Sequence, residues 1–399
     1  MSKLAFSSAR RSGLRTLAGS LIAGLVLVAC GGGGSDTATS EQVTSYTAGT
    51  IGGFGSVIVN GIRFDDSAAS VEDDDGNRSS SSSLKLGMQV EIDSGNVDDS
   101  TLRAVARHIR FGAELVGPVA SVDTNAKTFV VLGQTVEVKD NTVFDDSIVG
   151  GLGGLAGKIV EVHALFDAAN SRYIATRIED RAAVVLYKIR GVISNLDTQA
   201  KTFTLGTELI SYANVPAANL PANLANGLRI RVRLETVQVN GAWVAVRVVN
   251  GVRTLDSLPD ARVRGAVTTF TSSASFSVNG IPVDASNAIF DRGSAGVVLG
   301  ANVEVRGNAV NGTIVATRVR VLSSSDDDVR GFELHGTASS VDTNANTFVL
   351  RDVNVSYGPL VVWVRGSEAQ LTEGAKLEVK GLLSADGKSL VAASIKFED

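Results

Sequence analysis

The sequence predicts an all-β protein built from tandem small barrels, and three observations carry that expectation. An octapeptide returns with little change, as VDTNAKTF at 122–129, LDTQAKTF at 196–203 and VDTNANTF at 341–348. A glycine precedes each copy, Gly117, Gly191 and Gly336, and Gly49 and Gly265 open related stretches. The unit therefore recurs every ~70 residues, longer than the ~20–50 of stacked solenoid repeats, so each copy is expected to enclose its own core and to fold semi-independently. The composition agrees: 42 Gly and many Asn and Asp punctuate short Val, Ile and Leu runs, and no long helical pattern occurs in 399 residues.

The elements follow in chain order. Residues 1–29 read as a signal peptide: Lys3, Arg10, Arg11 and Arg15 precede the apolar run LAGSLIAGLVLVA, shorter than the ~20 residues of a permanent span. The run ends in Leu27-Val28-Ala29-Cys30, which resembles a bacterial lipobox and makes Cys30 the expected lipidation site. Cys30 is the only cysteine, so no disulfide can form within the chain. Residues 30–46, with GGGGSDTATSEQ, are expected to be a flexible tether. Five barrel repeats are then expected at 47–116, 117–190, 191–264, 265–330 and 331–399.

Within a repeat, a first strand leads into the octapeptide, whose Asp123, Asp197 or Asp342 suits a turn start because its carboxylate accepts backbone N–H groups just ahead. After an irregular or short helical link, a fourth strand recurs as GMQVEI, GKIVEV, GLRIRV, GANVEV and GAKLEV, and a fifth as VARHI, IATRI, VAVRV, VATRV and VAASI. Asn240-Gly241, Asn311-Gly312 and Asp386-Gly387 fall between the last two strands, where tight hairpins need left-handed residues. Five strands with a link between the third and fourth predict an OB-like closed barrel, with an open sandwich or split barrel as alternatives.

The segment GFGSVIVNGIRFD at 53–65, echoed by FSVNGIPVDA at 276–285, together with the VDTNAKTF hairpin, resembles the bacterial domain-of-unknown-function family 5666. The resemblance implies tandem β-barrel modules of secreted or lipid-anchored proteins. It implies no activity. The second, third and fifth repeats lack the VNG turn and are divergent copies.

Functional signals are sparse. Once residues 1–29 are removed, 33 basic face 42 acidic side chains, a net charge of −9 that argues against a nucleic-acid partner. Gly151-Leu152-Gly153-Gly154-Leu155-Ala156 fits a dinucleotide fingerprint in letters, but the alternating KIVEVHAL that follows is a strand where a helix is required. EDDDGN at 72–77 lacks the calcium-loop ligands before and after it, since Val71 and Ser82 stand there, and reads as a solvated loop, as does DDD at 326–328. His108, His163 and His335 form no zinc pattern, and His108 takes an outward register shared with Arg177, Arg247 and Arg318. No catalytic residue, cofactor or metal is expected, and a hydrolase is the remaining alternative, for which no motif is visible.

One departure stands out. Where four repeats carry Glu91, Glu161, Glu304 and Glu378, the third has Arg231, flanked at strand spacing by Arg229 and Arg233. Such a row, spaced ~7 Å along one face, is a candidate anion-binding site for an anionic polysaccharide or lipid headgroup, set against a plain solvated basic face. The expected role is a non-catalytic envelope lipoprotein that binds other envelope components. Gly31 after the cysteine resembles the outer-membrane sorting pattern, facing periplasm or cell surface.

Overall fold

In the computed structural model, which describes residues 42–323 and 331–398, the Val- and Ile-rich runs form strands, and the links before the fourth strand carry a single 3₁₀ turn in every repeat but the fourth. The first repeat contains β1 (Ser45–Phe54), β2 (Val57–Val59), β3 (Ile62–Asp65), β4 (Ser70–Asp73), β5 (Arg78–Ser79), β6 (Gln89–Ser94) and β7 (Arg103–Phe111). β1 pairs antiparallel with β2, β2 with β3, β3 parallel with β7, and β7 antiparallel with β6, which returns to β1. The sheet thus closes on itself and leaves its main strands without a free edge.

The same ring closes in β8 (Leu115–Asp123), β9 (Thr128–Val131), β10 (Gln134–Phe144), β11 (Ile159–Asp167) and β12 (Arg172–Asp180). It closes again in β13 (Tyr187–Asp197), β14 (Thr202–Leu205), β15 (Glu208–Ser211), β16 (Arg229–Leu234) and β17 (Trp243–Asn250). β18 (Leu258–Ser272), β19 (Ser275–Val278), β20 (Ile281–Asp284), β21 (Ile289–Phe290), β22 (Asn302–Val310) and β23 (Thr313–Val321) make the next. β24 (Phe332–Asp342), β25 (Thr347–Leu350), β26 (Val353–Val364), β27 (Lys376–Leu383) and β28 (Leu390–Phe397) make the last. The pairing order, illegible from sequence, is first–second–third–fifth–fourth–first in each.

The recurrent glycines have a steric cause. Each lies inside a first strand, and the turn between the second and third strands folds over it. A Cβ on Gly49 would lie 2.3 Å from Asn60 Oδ1, and one on Gly265 would lie 2.1 Å from Asn279 Nδ2. Asn60 and Asn279, at φ 55° and 51°, donate their side-chain N–H groups to the Ala48 and Arg264 carbonyls. The VNG motif is therefore a left-handed turn clipped onto a bare strand. Gly265→Ala should force that turn away and cost about 1–3 kcal/mol of stability by urea denaturation.

The octapeptides form the first hairpins. Asp123 Oδ1 accepts from the Asn125 and Ala126 N–H groups at 2.9 and 3.0 Å, and Asp197 and Asp342 repeat the arrangement. The three aspartates are turn residues.

The repeats do not stand apart. β1 pairs parallel with β18 over Ser45–Ala48 and with β24 at Gly53 and Phe54, and β8 pairs with β13 at Leu115 and Val116. Apolar packing follows the same joints. One cluster combines Ile51, Phe64 and Ile109 with Leu334, Phe348 and Ile395, and another combines Phe129 and Tyr173 with Phe203 and Val232. A third seats Tyr46 and Ala48 of β1 among Val263, Val305 and Ile314. Semi-independent folding was expected because a ~70-residue unit can enclose a core. These cores instead continue across repeats, and the described residues belong to one compact unit.

Candidate functional site

The arginine row lies on β16, and strand alternation does send Arg229, Arg231 and Arg233 to one side. That side is not open to solvent. Arg231 is buried, and all three guanidinium groups meet carboxylates of the first repeat and the adjoining connector. Arg231 Nη1 lies 2.8 Å from Asp74 Oδ2 and its Nη2 3.1 Å from Asp75 Oδ1. Arg233 pairs with Asp75, and Arg229 Nη2 reaches Glu114 Oε2 at 2.6 Å. The EDDDGN segment expected to be solvated is thus the counter-charge of the row. β4 and β5 make it a small hairpin, with Asp73 accepting three hydrogen bonds across its turn, so that Asp74 and Asp75 project onto β16.

The sign change at Arg231 has a local reason as well. Its cross-strand neighbour on β13 is Arg190, so two like charges face each other. Asp74 Oδ2 resolves the conflict by lying 2.9 Å from Arg190 Nη2 as well as 2.8 Å from Arg231, while its other oxygen accepts from Lys188 Nζ at 2.8 Å. Burial pushes the Asp74 carboxyl up, but the charges of Lys188, Arg190 and Arg231 outweigh it and hold it well below the usual carboxylate range. The row takes anions, and here they are the chain's own.

His335 and His163 occupy other joints of the first repeat. His335 packs against Gly55 and hydrogen-bonds Glu333 at 2.7 Å and Glu398 at 3.1 Å. Ligand atoms of Glu333, His335 and Glu378 lie within 4.8 Å of one another, a spacing compatible with a metal. The cations Arg63, Lys380 and Lys396 already pair with those carboxylates, so a metal ion would meet three positive charges. His163 is fully buried beside Glu161, with its Nδ1 3.4 Å from the Gln89 N–H. His108 is exposed, as its register predicted, and hydrogen-bonds Ser70. Arg177, expected to share that outward register, is instead buried against the Leu86 carbonyl and Glu179.

Burial raises the Glu161 and Glu333 carboxyls, but the adjacent histidines and neighbouring cations bring both down to about 2. A depressed carboxylate stabilises the fold above its unfolded pKa, ~4.3, and that contribution vanishes as pH falls through the folded value. The urea midpoint should therefore decline steadily between pH ~4.5 and about 2. A flat profile across that window would contradict the assignment.

A cavity of about 1140 Å³ opens among the first, second, fourth and fifth repeats. Repeat four presents Arg262, Arg306 and Arg318 as cross-strand neighbours, with Arg320 in the next row opposite Glu304. Asp99 of the first repeat pairs with Arg262 and Arg306, and Asp291 with Arg318. Sequence reading placed Arg318 and Glu304 by register alone and missed the others, because each looks like an ordinary strand or loop position; the grid exists only across strands. The Gly151–Leu155 segment is a 3₁₀ turn leading into β11, a link as expected. Cys30 and the DDD at 326–328 lie outside the described residues.

No curated protein matches the chain. A family model described as a domain of unknown function (DUF5666) matches residues 42–106, 116–179, 264–320 and 335–396, while 180–263, which hold the arginine row, fall outside the match. Those four segments cover more than half of the chain, each follows the ring of strands described above, and the protein belongs to that family as a tandem-repeat member.

Proposed function

We propose that the protein is a non-catalytic, lipid-anchored component of the cell envelope whose barrels act as one body that binds other envelope components. The observation that carries this reading is the use made of buried charge. Asp74 and Asp75, Glu333 and Asp93 are each held by a cation from another repeat or connector: Arg231, Arg63 and Arg253 respectively. Carboxylates committed to such pairs join repeats and are poorly placed to exchange protons with a substrate.

The anchor rests on the basic segment, short apolar run and lipobox that end at Cys30, with Gly31 favouring the outer membrane. Cys30→Ser should abolish fatty-acid labelling and release the protein from the membrane fraction. Equal labelling of both proteins would remove the anchor from the proposal. Affinity purification from solubilised envelopes, with identification of what travels with the wild type, tests the binding role.

A second reading keeps the arginine row as a receptor for an anionic polysaccharide or lipid headgroup. Arg229 favours it, because its buried Nε and Nη1 have no hydrogen-bond partner. The ligand would have to displace the acidic hairpin, so Asp75→Asn should increase salt-sensitive binding to an anionic polysaccharide. Unchanged or absent binding in the folded variant would leave the row a purely internal contact.

A further inference from the structure

The hairpin between the fourth and fifth strands is a recurrent point of contact between repeats and connectors. In the first repeat its Asp99 reaches Arg262 and Arg306 of the fourth. In the second, Asp167 and Ala169 pack so closely on Gly300 that a Cβ there would lie 2.7 Å from Asp167 Oδ1. The fourth repeat's Asn311-Gly312 turn rests on Ser257 and Thr254 of the preceding connector. The fifth repeat's turn adds to a strand edge: the Phe144 N–H donates to the Gly387 carbonyl at 2.9 Å, and Lys388 Nζ donates to the Asp146 carbonyl at 2.8 Å.

Two halves of that last contact are left without a counterpart among the described residues. The third repeat's hairpin, 236–241, bonds only within its own repeat; Val237 is 70% and Val239 56% exposed, and a side chain at Gly241 would meet open space. The matching edge is on β26. Its pairing with β28 places Val362 and Trp363 where β10 has Val143 and Phe144, after a bulge of equal length. Trp363 thus stands where Phe144 receives the turn. The sister bulges are polar, Lys139-Asp140-Asn141-Thr142 and Asp66-Ser67-Ala68-Ala69, whereas this one is Gly358-Pro359-Leu360-Val361, with Leu360 93% and Val362 58% exposed. An uncharged, apolar, unpaired edge is a template for strand addition.

We infer that these halves meet between copies: the 236–241 hairpin of one chain adds to the 360–364 edge of a second copy. Both segments are uncharged, each exposes two apolar side chains, Val237 and Val239 on the hairpin and Leu360 and Val362 on the edge, and the chain already uses the same hairpin-to-edge contact internally. The contact joins different surfaces of each copy, so it propagates head to tail.

Light scattering of the purified full-length chain over increasing concentration tests this. The wild type should grow in mass with concentration. Val362→Lys and Val237→Lys, both at exposed positions and checked for an unchanged circular dichroism spectrum, should each remain monomeric. Mixed together, the two variants should form one-to-one dimers and nothing longer, since each keeps the half the other has lost. A wild type that stays monomeric would overturn the inference. So would assembly that survives either substitution, including the pattern in which only Val362→Lys blocks it, which would mean edge-to-edge pairing.

Discussion

Replacing Asp74 with Ala is expected to cost about 3–5 kcal/mol of stability, the usual penalty for removing one partner of a buried ion pair. One carboxylate lies against Lys188, Arg190 and Arg231, and Arg190 and Arg231 face each other across the β13–β16 ladder. Without Asp74 those like charges confront each other with little solvent between them. The loss should appear as a lower urea midpoint of the whole body, because the hairpin carrying Asp74 belongs to the first repeat and its partners to the third. The double variant Asp74→Ala with Lys188→Met should recover part of the loss. Additive losses would mean that the two groups are not coupled.

Deleting residues 331–399 should have an effect of similar size on a repeat it leaves intact. Leu334, Phe348 and Ile395 share one apolar cluster with Ile51, Phe64 and Ile109, and β24 pairs with the end of β1. Removing the fifth repeat exposes that face and strands Arg63, whose partner is Glu333. Each large apolar side chain returned to water loses about 1.5–3 kcal/mol. Amide exchange in β1, β2 and β3 should therefore accelerate by at least about 100-fold, ~3 kcal/mol. Unchanged protection there would restore the picture of self-sufficient repeats.

What could be read from the sequence was whatever a single strand or turn determines. Asp123 in its hairpin, the outward register of His108 and the Gly-rich link at 151–155 are all local, and their residue types announce them. The divergent turns were hidden because they use residues that do not advertise a left-handed backbone: Leu132 at φ 47° and Arg351 at φ 53° stand where the first and fourth repeats have asparagine. The charge clasp was half visible. The acidic run in the first repeat and the basic row in the third are two charged breaks in the repeat pattern, and they have opposite sign. Each was read alone as a solvated or ligand-seeking surface, since nothing in one dimension says that residues 74 and 231 are neighbours.

The position of β1 also has a mechanical side. Its N-terminal half is hydrogen-bonded on both edges, parallel to β18 and antiparallel to β6, and its far end touches β24. A pull along the strand axis at Ser45 would load these ladder bonds in shear, so that they fail together. A terminal hairpin pulled the same way would peel open one bond at a time. With the anchor proposed above, such a pull would meet the strand that has the most neighbours among the described residues.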